Sequence, residues 1–307
     1  MELVFLGTGA GVPSKNRNVS AIALTLLQEL NEIWLFDCGE ATQHQILNTS
    51  IKPGKISKVF ITHLHGDHIY GLPGFLSSRS FQGGDSPLTV YGPKGIKSFI
   101  QISLETTDTH LNYPLEIIEF EEGEILSSDK FSVYAQKLEH RTTSYGFRIV
   151  ESDQIGELLV DKLKEKGIQP GPIYREIKEN EETTLPNGEV IRREDYIGPM
   201  KKGRVLCIFG DTRYRKEHIT LAKDANVLVH EATFSSKETE LAYKYYHSTT
   251  KEAATLAKEA NVKQLILTHI SSRYQKSDVQ TLVKEAQEIF QSTIIAQDFD
   301  RFPIPVE

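Results

Sequence analysis

The sequence predicts a layered fold of mixed strands and helices, α/β or α+β, on two observations. Short β-rich runs recur from one end of the chain to the other, and helical stretches separate them. Taken in order, the strands expected are 3–6, 21–27, 33–36, 58–61, 89–91, 131–135, 145–150, 205–209, 227–230 and 264–268. Helices are expected over 41–47, 69–78, 95–105, 251–259 and 278–290. The stretch 151–200 differs: charges, Gly and Pro punctuate weak apolar patches such as Ile173, Tyr174, Ile177, Val190 and Ile191, and no long periodic element forms. It reads as an insertion into one domain spanning 1–307.

At 307 residues the chain can bury a large core without staples. Its 39% hydrophobic and 25% charged content are those of an ordinary globule. Cys38 and Cys207 lie far apart in apolar strand text, which suits reduced thiols in the cytoplasm. No apolar run approaches the roughly 18 residues of a membrane span, and strand text begins at once with no basic leader, so an unexported protein off the membrane is expected. The formal charge of −7 argues against a basic coat for nucleic acid. A local positive site stays open, because bound divalent cations would supply it.

The most telling stretch is His63-Leu64-His65-Gly66-Asp67-His68, directly after the run Lys58–Thr62. On extended backbone, residues two apart face the same side, so His63 and His65 can hold one ion; a turn at Gly66 lets Asp67 and His68 face a second. Imidazole and carboxylate suit zinc, manganese or iron. His140, Asp211 and His269 each end a further apolar run, where folds of this type gather their sites. The glycines of Gly7-Thr8-Gly9-Ala10-Gly11 lack dinucleotide-loop spacing and read as a tight turn under a metal site.

These residues resemble the metallo-β-lactamase superfamily, whose HxHxDH signature stands at 63–68. More narrowly, the chain is similar to the short form of the ribonuclease Z family, endonucleases that remove 3′ trailers from precursor tRNA. The motifs are Pro13-Ser14-Lys15-Asn16-Arg17-Asn18 (PxKxRN), Phe36-Asp37-Cys38-Gly39, His230-Glu231-Ala232-Thr233 (HEAT), His247-Ser248-Thr249 (HST), and Gly171-Pro172 in the inserted segment. The resemblance implies an αβ/βα four-layer sandwich and two zinc ions per chain. His63, His65 and His140 would hold one ion, Asp67, His68 and His269 the other, with Asp211 shared.

The reaction so implied is attack of a metal-bound hydroxide on phosphorus near the discriminator nucleotide. It leaves a 3′-hydroxyl on the tRNA and a 5′-phosphate on the trailer. Asp67 would orient the water or take its proton, and His247, held by Glu231, would donate to the phosphate or the leaving oxygen. Lys15, Arg17, Asn18 and Arg273 are expected near the RNA ends, Gly171 and Pro172 in a tRNA-gripping arm, and Ser248 and Thr249 both to cap the helix over 250–259, their first role, and to offer donors to phosphate. Asp37 is expected either to orient a ligand histidine or to end a strand. A homodimer is expected by the same resemblance, and a cytoplasmic one from the cysteines and the unexported reading above. The alternatives are a two-metal phosphodiesterase or related hydrolase of small substrates, and an RNA-binding protein without activity.

Overall fold

The computed structural model describes residues 1–306. They fall into two compact units, Met1–Val150 with Val205–Pro305, and Glu151–Arg204 with Val306.

The larger unit is built on two seven-stranded sheets. In the first, the order is Arg301–Pro303, Glu2–Gly7, Ala21–Leu26, Glu32–Phe36, Ile56–Phe60, Leu88–Gly92 and Leu115–Glu119. Its first four strands pair antiparallel and the last four run parallel. In the second, Thr293–Ile295, Gln264–Thr268, Val227–Glu231 and Val205–Phe209 run parallel, followed by the antiparallel strand Ser144–Glu151 and then Phe131–Leu138 and Gly123–Ser127.

Side-chain alternation along each strand makes the layers. Leu3, Phe5, Leu24, Trp34, Phe36 and Phe60 of the first sheet share one buried cluster with Phe131, Phe147, Ile149, Leu206, Ile208 and Val229 of the second. Their neighbours point outward. Val4, Leu6, Leu35 and Val59 pack against Leu72, Phe75, Leu76, Ile96 and Ile100 of the helices Leu72–Phe81 and Ile96–Thr106. Cys207, Leu228 and Leu265 pack against Ala253, Ala254, Ala257, Leu282 and Ala286 of the helices Thr250–Glu259 and Lys276–Gln287. Helix, sheet, sheet, helix is the expected four-layer sandwich.

Every strand expected from the sequence is present, with boundaries shifted by a few residues. The four edge strands, Leu115–Glu119, Gly123–Ser127, Thr293–Ile295 and Arg301–Pro303, were not expected; the first two mix glutamates with half-buried aliphatics and the last two are three residues each, so neither kind stands out as a strand run. Both cysteines are buried and free. No helix among the described residues is long and apolar enough to cross a membrane.

The smaller unit holds the helices Val160–Glu165 and Pro172–Glu179 and the ribbon Glu182–Thr184 with Val190–Arg192. Leu163, Ile168, Ile177, Leu185 and Ile191 form its own small core. The segment 151–200 therefore carries more regular structure than its punctuated sequence suggests. Each of its helices is at most eight residues, too short to leave a periodic signal.

Candidate active site

The chemistry-bearing residues come together at one end of the facing sheets. Strand Ile56–Phe60 is followed by His63 and His65 on extended backbone, and the chain then enters a helical turn, Gly66–Ile69, that carries Asp67 and His68. His140 follows Phe131–Leu138, Asp211 follows Val205–Phe209, and His269 follows Gln264–Thr268. Two glycines fit beneath them. A Cβ on Gly7 would lie 1.7 Å from the Val19 carbonyl oxygen, so no side chain fits in that turn. Gly11 adopts a φ of 72°, a region open to glycine, and its N–H donates to Asp67 Oδ2 at 2.8 Å.

Around one point, His63 Nε2 and His140 Nε2 lie 3.1 and 3.2 Å from His65 Nδ1. Asp211 Oδ2 is 3.6 Å from the first and 3.9 Å from the second. Around a second point, Asp67 Oδ2 lies 3.5 Å from His68 Nε2 and 3.3 Å from His269 Nε2. Asp211 Oδ1 lies 3.6 and 3.4 Å from the same two nitrogens. Four donors held tetrahedrally at about 2.0–2.1 Å from an ion stand about 3.3 Å apart. Both sets match that spacing, and the two oxygens of Asp211 serve one set each. The donor set fits a pair of divalent ions.

The outer nitrogens of the histidines are anchored as metal ligands require. His68 Nδ1 donates to Asp37 Oδ2 at 2.7 Å, and His140 Nδ1 to the Tyr246 carbonyl at 2.8 Å. His63 Nδ1 meets Thr62 Oγ1 at 3.0 Å, and His269 Nδ1 meets Thr233 Oγ1 at 2.8 Å. His68 Nε2 is left buried without a hydrogen-bond partner, an orphan that an ion would satisfy. Asp37 thus orients His68, one of the cluster's histidines, rather than merely ending a strand. Thr62 and Tyr246 were not singled out from the sequence, and Thr233 stood in the HEAT motif without a role of its own. Tyr246 acts through its backbone, which no side-chain pattern reveals.

The site's electrostatics follow from burial and crowding. Burial and the neighbouring His68 hold the His63 imidazole well below its usual range. Burial alone would push the Asp211 carboxyl up, but His269, His68 and His63 outweigh it and hold it well down. The cluster is poised to bind cations without first shedding protons from its carboxylates. Chelation is therefore expected to lower Tm, and resaturation at about 100 times Kd to return about 2.7 kcal/mol of stability. Differential scanning calorimetry of the chelated and reloaded protein checks this.

Beside the pair stands His247, its Nδ1 2.9 Å from Glu231 Oε1 and 3.9 Å from Asp211 Oδ2. Glu231 is fully buried and accepts from Thr212 N, Ser248 N and His247 on one oxygen, and from Thr233 N and Oγ1 on the other. Burial favours its neutral form, yet the His247 attraction and hydrogen bond hold its carboxyl below the usual range.

The remaining residues divide. Lys15 is exposed and lines a cavity with Asn16, Ser272 and Lys276. Asn18 donates its amide to the Glu40 carbonyl. Arg17, expected near the RNA, points into the protein: it is 8% exposed and gives Nη1 to Thr8 Oγ1 and the Ala296 carbonyl. Arg273 is paired with Glu238 at 2.5 Å and stacks over Phe234. Ser248 and Thr249 are buried as well. Ser248 donates to the Thr212 carbonyl, and Thr249 forms a capping box with Glu252 on helix Thr250–Glu259. Their hydroxyls are spent inside, so of the two roles expected for them only the structural one is open. Gly171 and Pro172 are exposed, with Pro172 opening its helix. His218 and His230 are buried away from the cluster, and His110 is exposed.

Residues 1–156 match the family model described as "Anti-Pycsar protein Apyc1", and that half of the chain belongs to its family. Over 99% of the chain and 100% of the relative, the sequence is 60% identical to a protein of Oceanobacillus iheyensis named Ribonuclease Z. The chain belongs to the ribonuclease Z family. A Ribonuclease Z of Bacillus cereus is 59% identical over 99% of both chains. Among solved structures, human tRNase Z, short form (ELAC1), covers 100% of both chains at 31% identity with a TM-score of 0.72. The metallo-β-lactamase fold protein YhfI from Bacillus subtilis covers 98% of both at 20% identity and a TM-score of 0.69, and so shares the fold. The Apyc1 match stops before Asp211, Glu231, His247 and His269, whereas the ribonuclease Z relatives span all of them.

Proposed function

We propose that the chain is an endoribonuclease that removes the 3′ trailer from precursor tRNA, using a divalent metal cofactor. The observation that carries this reading is the pair of four-donor sets sharing Asp211, with the Glu231–His247 dyad beside them, in a ribonuclease Z chain. The ions are two zincs: one held by His63, His65 and His140, the other by Asp67, His68 and His269, with Asp211 common to both. When bound, such a pair neutralises charge on the attacked phosphate and acidifies the attacking water.

The chain's own groups do the rest. Asp67, steadied by the Gly11 N–H, takes the water's proton. His247 gives a proton to the departing 3′ oxygen, and Glu231 holds its imidazole for that transfer. Cleavage falls near the discriminator, leaving a 3′-hydroxyl on the tRNA and a 5′-phosphate on the trailer. Lys15, Asn18 and Arg273 lie toward the RNA ends, and Gly171-Pro172 of the inserted segment grips the tRNA. The working form is a cytoplasmic homodimer.

The test is cleavage of a 3′-extended precursor tRNA by the metal-loaded protein, with both new ends mapped and Asp67→Ala as control. One cut near the discriminator supports the reading. Hydrolysis of a small phosphodiester without any RNA cut sends the site to small substrates instead.

The inserted segment offers a second check. Val150 and Val205 lie directly opposite each other in antiparallel register, so an Asn-Gly turn can replace 151–204. That variant is expected to lose most cleavage of precursor tRNA and to retain hydrolysis of bis(p-nitrophenyl) phosphate. Equal loss on both substrates would mean the core was damaged.

A further inference from the structure

One wall of the cleft in front of His247 is occupied by residues with no part in the steps above. It is formed by the end of helix Thr239–Tyr245 and its left-handed cap, Tyr246, at a φ of 62°. Tyr243 and Tyr246, three apart on the same turn, both stack on the guanidinium of Arg213, at 3.8 and 3.6 Å. Arg213 also donates Nε to the Tyr243 carbonyl at 2.7 Å and Nη1 to Glu139 at 3.2 Å. This clamp fixes the turn. The two residues between its arms, Lys244 and Tyr245, are left to line the cleft of about 330 Å³ that also holds His65, Asp67 and His247.

Tyr245 is 50% exposed. Arg141, next to the ligand His140, is exposed on the same cleft. Neither the Arg141 nor the Lys244 side chain has a hydrogen bond or ion pair among the described residues, and the Lys244 ammonium only approaches the Tyr245 ring, at 5.7 Å. Glu139, the nearest acid in sequence to Arg141, is already taken by Arg213 and Arg215. In a chain of net charge −7, two unpaired cations and an open aromatic ring thus face the reacting centre. Those are the parts with which proteins hold unpaired nucleotides: a ring for the base and cations for the phosphates.

We propose that Tyr245, Arg141 and Lys244 form a nucleotide subsite. Tyr245 stacks the unpaired base beside the scissile phosphate, and Arg141 and Lys244 hold the adjoining phosphates. The subsite rests on the ribonuclease reading and adds to it where the single-stranded end is gripped. It is tested on the full-length, metal-loaded protein with 3′-extended precursor tRNA and, in parallel, bis(p-nitrophenyl) phosphate. Tyr245→Ala is expected to raise KM for precursor tRNA about tenfold, and to cost about ten times more in kcat/KM on it than on the small diester. Tyr245→Phe, which keeps the ring, restores the wild-type KM. Arg141→Ala and Lys244→Ala each reduce the salt slope of log(1/KM) by about 0.7. Equal losses of Tyr245→Ala on both substrates, or unchanged salt slopes, overturn the subsite. A wild-type protein that hydrolyses the small diester and leaves precursor tRNA intact overturns the ribonuclease reading itself.

Discussion

Replacing His247 by alanine is expected to lower kcat on precursor tRNA by about 10²–10⁴-fold while leaving the metal content intact. The imidazole is tethered through Nδ1, 2.9 Å from Glu231 Oε1 and 3.3 Å from Thr233 Oγ1, so Nε2 is the atom free to meet substrate. Burial favours neutral His247, but the attraction of Glu231 and its hydrogen bond win, and its pKa is pushed up to about 9. Asp211 and Asp67 also favour the proton, yet cations bound at those carboxylates would cancel that help. Glu231 is the partner that persists. A protonated donor predicts a rate that falls on the alkaline side, and the variant should lack that limb. Metal analysis decides the rival role. His247 also stands within reach of Asp211 and His269 as a third cluster, so loss of an ion from the variant would make it a ligand.

The sequence could show the cluster because groups able to hold a cation are particular residue types, and these stand at strand ends. The run 63–68 announces itself, and His140, Asp211 and His269 each close an apolar strand. What orients those ligands was far less legible. His140 is set by a backbone carbonyl 106 residues away, and His269 by a threonine hydroxyl 36 residues away. A backbone carbonyl has no signature in composition or spacing, and the threonine, though part of the HEAT motif, carries nothing that says which histidine it meets. The direction of a basic side chain was equally hidden. Arg17 and Lys15 sit two apart in one loop, yet Arg17 turns inward to Thr8 and Ala296 while Lys15 faces solvent. Only the packed structure separates a cation that caps carbonyls from one open to phosphate.

Glu231→Gln is expected to damage both fold and rate, unlike His247→Ala. The wild-type carboxylate receives donors on both oxygens: Thr212 N, Ser248 N and His247 on one, Thr233 N and Oγ1 on the other. Glutamine has one oxygen and one NH₂ group, so its NH₂ faces either Thr233 N or the pair Thr212 N and Ser248 N. Each buried N–H left without an acceptor costs about 1–3 kcal/mol, so even the better orientation, which strands Thr233 N alone, loses about that much. These donors belong to the segments that carry Asp211, His247 and, through Thr233, His269. Loosening them misplaces ligands as well as the proton donor. A lower Tm that metal only partly restores, with kcat reduced at least as far as in His247→Ala, is the expected pair of results. An unchanged Tm with only the rate reduced would mean that Glu231 acts on His247 alone and that the hub around it bears little of the fold.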